Sequence, residues 1–313
     1  MERIVFLGTP KFAAGILEDL ITAGFNVVGV VTQPDRLVGR KRELEFSEVK
    51  KVALKYQLPV IQPVKIKKDY QAIIDLKPDL IISAAFGQIV GVELLEYPKY
   101  RAINVHGSLL PKYRGGAPIQ RAIENGDKET GITIMYMEKG MDTGDMLYQK
   151  SLKIEDNDTS TTLFAKLSRL GSSMLLEFLP RFFRGEFTPI KQNEAEVTFA
   201  YNLTKEEEYI DFSLDAFKTF NKIRSLLDNP GAYFYFPGFA SDEYRMKIIE
   251  ATPVNYTHHA LNGEVIEVNK NDFVIACANN TALVIKRIKP NGKAEMAARD
   301  FINGSLKKYI GGK

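Results

Sequence analysis

His106 follows Asn104 by two residues at the end of an apolar run, Arg101-Ala-Ile-Asn-Val-His106, and an acidic turn, Gly140-Met-Asp-Thr-Gly-Asp145, comes about thirty residues later. Residues i and i+2 of an extended strand point to the same side, so Asn104 and His106 share a face while Ile103 and Val105 bury on the other. An amide donor, an imidazole and the carboxylate of Asp142 suffice for attack by an amine on a formyl carbon. The tetrahedral intermediate needs its oxygen stabilised and its nitrogen deprotonated. Such one-carbon acyl transfer requires neither a metal nor a covalent enzyme intermediate.

Those residues need a scaffold. Short β-branched runs alternate with helical patterns: strand Ile4–Leu7, helix Phe12–Leu20, strand Asn26–Thr32, helix Phe46–Tyr56, a short strand at Val60, then strands Leu80–Ala84 and Arg101–Val105. This is the βαβ pattern of a parallel sheet, whose ligands bind beyond the carboxyl ends of the strands. Thr9-Pro10, Phe86-Gly87 and the stretch from His106 onward all fall at such ends. Thr130–Met137 and Met146–Lys153 read as further strands, with the acidic turn between them. A helix capped by Thr159, with Leu163, Leu167, Leu170, Met174 and Phe178 at steps of three and four, ends near Gly185.

Residues 186–205 carry polar side chains, Pro189 and no sustained period, as a connecting segment would. Beyond them come a helical pattern, Leu214–Leu227, and the strands Ala232–Phe236, Lys247–Thr252, Gly263–Asn269, Asp272–Ala276 and Ala282–Lys289. That is a small β-rich, barrel-like domain.

At 313 residues and 45% hydrophobic, the chain is long enough for two domains, each with its own core. Met1-Glu-Arg3 runs straight into Ile4–Leu7, too short for a secretory signal, and Leu80–Val92 is interrupted by Ser83, Gly87 and Gln88. The expectation is therefore a soluble protein that is not exported and does not enter a membrane. Cys277 is the single cysteine, which excludes an internal disulfide and fits a reducing compartment. A net charge of +3 does not by itself announce nucleic acid; local clusters matter more.

Several signals have competing readings. His106 alone could be a core histidine satisfied by backbone, but its neighbours favour chemistry. Asp142-Thr-Gly144 also marks aspartic proteases, which need two carboxylates sharing a proton, and there is no second copy. Asp142 and Asp145 could both be turn formers; Asp145 is assigned to the turn and Asp142 to chemistry. At the first strand-to-helix turn Pro10 and Phe12 replace the glycines that a dinucleotide pyrophosphate requires. Arg114-Gly-Gly116 is a tight turn rather than an RNA-binding box, and His258-His259 lack the further ligands of a metal site, so no metal is expected. Arg36, Arg40, Lys41 and Arg42 form a basic loop that could reach a phosphate backbone or simply be solvated beside Glu43 and Glu45. Lys286, Arg287, Lys289, Lys293, Lys307 and Lys308 give the second domain a scattered basic face with the same two readings.

Over nearly its full length the chain resembles the methionyl-tRNA formyltransferase family. The resemblance rests on Gly8-Thr-Pro-Lys-Phe-Ala-Ala14, Thr32-Gln-Pro-Asp-Arg36, Asn104-Val-His-Gly-Ser-Leu-Leu-Pro111, Arg114-Gly-Gly-Ala-Pro-Ile-Gln-Arg121, Glu129-Thr-Gly-Ile-Thr-Ile134 and Met141-Asp-Thr-Gly-Asp-Met-Leu-Tyr148. The Asn-x-His-x-Ser-Leu-Leu-Pro string alone marks the broader group of 10-formyltetrahydrofolate users, and the flanking pieces narrow it. The chain departs from the family's usual residues at Phe86, where Tyr is common, at Tyr113, where Trp is common, and at Asp228-Asn-Pro230.

The resemblance implies a Rossmann-like parallel-sheet catalytic domain over 1–188, a linker over 189–206, and an OB-fold-like tRNA-binding β-barrel over 207–313. It implies transfer of formyl from 10-formyltetrahydrofolate to the α-amine of initiator methionyl-tRNA by a monomeric bacterial cytoplasmic enzyme, with no DNA or membrane partner. Carried over by position, Asn104, His106 and Asp142 are catalytic, and Phe86, Gly87, Ser108, Leu109, Leu110 and Pro111 line the folate pocket. Arg36, Arg40, Lys41 and Arg42 grip the tRNA. A small-molecule formyltransferase, a formyltetrahydrofolate hydrolase and a non-catalytic tRNA-binding protein remain the alternatives.

Overall fold

The computed structural model describes residues 1–38, 42–227, 230–237, 239 and 241–306. It divides into two compact units. The first comprises Met1–Ile119, Glu129–Ile154 and Thr162–Asn202; the second comprises Gln120–Lys128, Glu155–Thr161 and the residues from Leu203 onward.

The first unit opens with β1 (Ile4–Gly8), α1 (Lys11–Thr22) and β2 (Val27–Val31). Two short strands, β3 (Arg36–Val38) and β4 (Glu43–Glu45), precede α2 (Glu48–Lys55) and β5 (Val60–Ile61). Then follow α3 (Gln71–Ile74), β6 (Leu80–Ala84), α4 (Val92–Glu96), β7 (Ala102–His106), α5 (Pro118–Glu124), β8 (Glu129–Tyr136), β9 (Met146–Lys153) and α6 (Ser160–Phe183). The main sheet has seven strands in the order β5-β2-β1-β6-β7-β8-β9. The first five run parallel, whereas β8 is antiparallel to both β7 and β9. The sheet is thus mostly parallel, with an antiparallel pair added at one edge.

Hydrophobic patterning accounts for the layers. Every residue of β1 and of β6 is buried, as expected for parallel strands covered on both faces. On α1, Phe12, Ala13, Ile16, Leu17 and Leu20 recur at helical spacing and are all buried. Ser47 caps α2, its hydroxyl accepting from the Lys50 amide at 3.0 Å. Gly171 of α6 comes close enough to the sheet that a Cβ there would lie 3.0 Å from Val105 and 3.3 Å from Ile16. The α1/α6 layer therefore covers the Val105 face of β7, and Asn104 and His106 point to the opposite face.

The stretch read from sequence as a basic loop contains structure: β3 and β4 pair antiparallel, placing Arg36 opposite Glu45. Arg36 and Arg42 are exposed, while Arg40 and Lys41 lie outside the described residues. The segment read as a connector is also structured, because its first part is tied to the first unit. Ile190 bridges Met146, and Phe199 bridges Arg114. It carries no hydrophobic period because it is held by backbone bridges and by scattered polar side chains such as Gln192 and Glu194, whose partners are distant in the chain.

In the second unit, α7 (Ala216–Leu226) is capped by Asp215, which accepts from the Lys218 amide at 2.9 Å. The strands β10 (Tyr233–Phe234), β11 (Met246–Asn255), β12 (Val265–Val268), β13 (Phe273–Cys277), β14 (Thr281–Pro290) and β15 (Met296–Ala297) precede a short α8 (Ala298–Phe301). They form an antiparallel sheet in the order β10-β11-β14-β13-β12, with β15 also on β14. Phe234, Phe236, Phe273, Phe301, Ile248 and Ile285 belong to its core. Among the described residues no helix is long and apolar enough to cross a membrane.

Candidate active site

β7 pairs with β6 in parallel register, Ser83 beside Asn104, so the backbone at Ala85 and Phe86 lies level with His106 or just beyond it. The carboxyl ends of adjacent strands thus bring the two sequence signals together. His106 is 5% exposed. Its Nε2 lies 2.9 Å from the Tyr113 carbonyl, an acceptor, so Nε2 carries a proton. Nδ1 faces Asp142, 3.7 Å from Oδ2. That separation exceeds a direct hydrogen bond. Asn104 is half-buried on the same face as His106.

Asp142 reaches this position by a detour. Because β8 runs back along β7, its last residue, Tyr136, pairs with Ile103, three residues before His106. Three strand residues span roughly 10 Å, so the loop after β8 must fold back over the sheet face to bring Asp142 to the imidazole. Several bonds fix the fold-back. The Gly115 amide donates to Asp142 Oδ2 at 2.8 Å, and Gln192 Nε2 donates to the carbonyls of Asp142 and Gly144, both at 2.8 Å. Tyr136 donates its amide to the Asp145 carbonyl at 3.0 Å, which closes the loop between the two strands. Asp142 itself has φ 53°, in the left-handed region that Asp tolerates better than most residues.

The Ser108-Leu-Leu-Pro111 stretch is braced from behind. Ser108 Oγ donates to the Lys112 carbonyl at 2.6 Å, and Thr133 Oγ1 donates to the Ser108 carbonyl at 2.7 Å. Gln149 Nε2 reaches the Leu110 carbonyl at 3.0 Å and Thr133 Oγ1 at 2.8 Å. The Leu110–Pro111 peptide is cis. Ser108, Leu110 and Phe86 are buried, whereas Leu109 and Pro111 are half-buried and Gly87 is exposed. Of the six residues expected to line a pocket, three are therefore in the core and three present surface. The Phe86 carbonyl accepts from Thr9 Oγ1 at 2.9 Å and Gln33 Nε2 at 3.1 Å, tying the β1 and β6 ends together.

Sequence reading missed Gly115, Thr133, Gln149 and Gln192. Only the positive φ of Gly115, 124°, had a signal, the Gly-Gly pair. A Cβ at Gly115 would sit 2.6 Å from the Ala200 carbonyl oxygen, so this position requires glycine twice over.

The second unit carries a separate cationic pocket lined by Arg245, Lys247, Lys289, Pro290, Asn291 and Gly292. Burial, reinforced by neighbouring Arg245, holds the Lys247 ammonium below its ordinary range. Of the basic face expected from sequence, Lys289 joins this pocket, Arg287 is paired with Glu295 at 2.6 Å, and Lys307 and Lys308 lie outside the described residues. No group of His, Cys, Asp and Glu among the described residues has the arrangement of a metal site.

The sheet and the site at its strand ends define a formyl transferase: the formyl transferase family matches residues 2–179 and its C-terminal domain residues 202–306. Over 316 aligned residues, 100% of this chain and 98% of the relative, it is 48% identical to a methionyl-tRNA formyltransferase of Lactiplantibacillus plantarum, and it belongs to that family. The fold is shared with an N-formyltransferase from Helicobacter canadensis, solved with folinic acid and dTDP-3-aminofucose (TM-score 0.67, 22% identity, 91% of this chain and 99% of that one). It is shared also with methionyl-tRNA formyltransferase from Clostridium thermocellum (TM-score 0.55, 20% identity, 80% and 93%).

Proposed function

We propose that this chain transfers the formyl group of 10-formyltetrahydrofolate to the α-amine of methionine carried by initiator tRNA, in the bacterial cytoplasm. The observation that carries the reading is the His106–Asp142 pair, 3.7 Å apart on the face of β7 that also bears Asn104. With Nε2 committed to the Tyr113 carbonyl, Nδ1 is the ring atom that meets substrate. The Asn104 amide and the protonated Nδ1 donate to the formyl oxygen as it becomes anionic. Asp142, beside the imidazolium, balances its charge and takes the proton leaving the amine; as the bond between the formyl carbon and the folate nitrogen breaks, that nitrogen takes up a proton and tetrahydrofolate leaves.

The donor lies along the exposed edges of Gly87, Leu109 and Pro111, with Phe86, Ser108 and Leu110 holding that wall in shape. The acceptor is a polyanion, and exposed Arg36 and Arg42, together with Arg40 and Lys41, engage its backbone. The cationic pocket of the second unit adds a further phosphate contact.

The test supplies 10-formyltetrahydrofolate with and without methionyl initiator tRNA and follows formylmethionine against free formate. Formylmethionine is expected only when charged tRNA is present. Formate release that ignores tRNA would replace this reading with a hydrolase, and tRNA binding without turnover would replace it with a non-catalytic binder.

A further inference from the structure

We propose that Gln192, seated by Arg114, is a positioning residue that sets the orientation of the Asp142 carboxylate. The proposal rests on the reading of Asp142 as the proton-accepting carboxylate.

The geometry is a closed circuit. Gln192 is 9% exposed. One N–H of its amide goes to the Asp142 carbonyl and the other to the Gly144 carbonyl, each at 2.8 Å, and its Oε1 accepts from Arg114 Nε at 3.0 Å. Arg114 is 3% exposed, and its remaining nitrogens grip Glu194 at 2.7 and 3.2 Å. The main chain of Arg114 is bracketed as well, its amide donating to Thr198 at 2.9 Å and its carbonyl accepting from Ala200 at 2.7 Å. The next residue, Gly115, donates its amide to Asp142 Oδ2 at 2.8 Å. Both ends of Asp142, carbonyl and carboxylate, are thereby referred to one dipeptide, Arg114-Gly115.

Chemistry makes the residue types specific. A primary amide offers two donors and an acceptor at one end of a short side chain, which is what two carbonyls and a guanidinium N–H require. Glutamate would retain the contact to Arg114 but set oxygen against two carbonyl oxygens. Methionine would fill the space and bond to none of them. The circuit also explains how the left-handed backbone of Asp142 is maintained, since a sparsely populated conformation persists only where its surroundings over-determine it. A carboxylate released by even 1 Å would leave its working distance from His106, and misplacement of that size costs on the order of 10²-fold in rate.

The experiment compares wild type, Gln192→Met, Gln192→Glu, Asp142→Asn and the Gln192→Met/Asp142→Asn double variant in formylation of methionyl-tRNA, with KM for both substrates and thermal melting recorded. The expected result is a kcat at least about tenfold lower in both Gln192 variants with both KM values little changed. In the Asp142→Asn background, Gln192→Met should cost nothing further, because a residue acting through Asp142 has no carboxylate left to orient. Wild-type kcat in the folded Gln192 variants overturns the proposal. So does a Gln192→Met loss that adds in full to that of Asp142→Asn, which would mark a general structural role. If Gln192→Met does not fold, Gln192→Glu, alone and combined with Asp142→Asn, decides by the same criteria. Full turnover in Asp142→Asn would instead remove the catalytic reading on which the proposal stands, so the two failures are distinct.

Discussion

The Nδ1 atom of His106 lies 3.7 Å from Oδ2 of Asp142, while the opposite ring nitrogen is held by the Tyr113 carbonyl at 2.9 Å. The ring is therefore anchored on one edge and meets a carboxylate on the other. This division of labour orders the expectations for the reacting groups.

Asp142→Asn should keep the fold and lose turnover. The amide can still accept from Gly115 but can neither take the amine proton nor balance an imidazolium. Circular dichroism and melting should match wild type while formylation falls by orders of magnitude. Wild-type turnover would refute the carboxylate role.

Asn104→Ala should slow the chemical step by on the order of 10²–10³, the usual cost of one preorganised oxyanion donor. Single-turnover rates should fall far more than donor affinity weakens. Equal losses in both would reassign Asn104 to binding.

Gly115→Ala should both destabilise and inactivate. Its φ of 124° is unfavourable for alanine, and the new Cβ would lie 2.6 Å from the Ala200 oxygen. A loss on the order of 1–3 kcal/mol is expected from strain of this kind, read from the urea midpoint. An unchanged midpoint would mean that the turn relaxes freely.

Charged methionyl-tRNA should bind with a steep salt dependence, and donor binding should barely respond. Replacing Arg245, Lys247 and Lys289 together with glutamine should lower the slope of log affinity against log salt by up to about three. An unaltered slope would take the pocket out of the tRNA path.

Cys277 should be chemically silent in the folded protein. Its residue is fully buried, and burial pushes the thiol up to about 12. Since the thiolate is the nucleophile, iodoacetamide at pH 8 should label it only in denaturant. The native pKa is raised, so the associated stability is complete below the unfolded thiol's value of about 8.5 and is lost as pH climbs toward 12. Rapid labelling of native protein would contradict this burial.

Much of the architecture was legible because long elements repeat their side chains at a fixed period. Strands β6 and β9 occupy the residues expected of them, Leu80–Ala84 and Met146–Lys153, and α6 follows the expected stripe at Leu163, Leu167, Met174 and Phe178. Short elements were opaque. The four-residue α3 and three-residue β3 and β4 hold too few positions to show periodicity.

Within the site, Asn104, His106 and Asp142 were legible as types and spacing. Their supports were not, because an amide such as Gln192 announces nothing until its partners are known. Ser108 illustrates the reverse: a hydroxyl inside a motif suggests a ligand contact, yet its bond goes to the backbone of Lys112.

The circuit through Arg114 also bears on how such enzymes can be re-engineered. Stretches 107–117 and 190–200 are joined by main-chain bonds, and both are tied to 137–145 through the Asp142 carboxylate and the Gln192 amide, so their lengths are not independent variables. A chimera that imports one of them from a relative with a different residue count would inherit a carboxylate out of alignment. Transplanted as a set, they should carry their geometry with them.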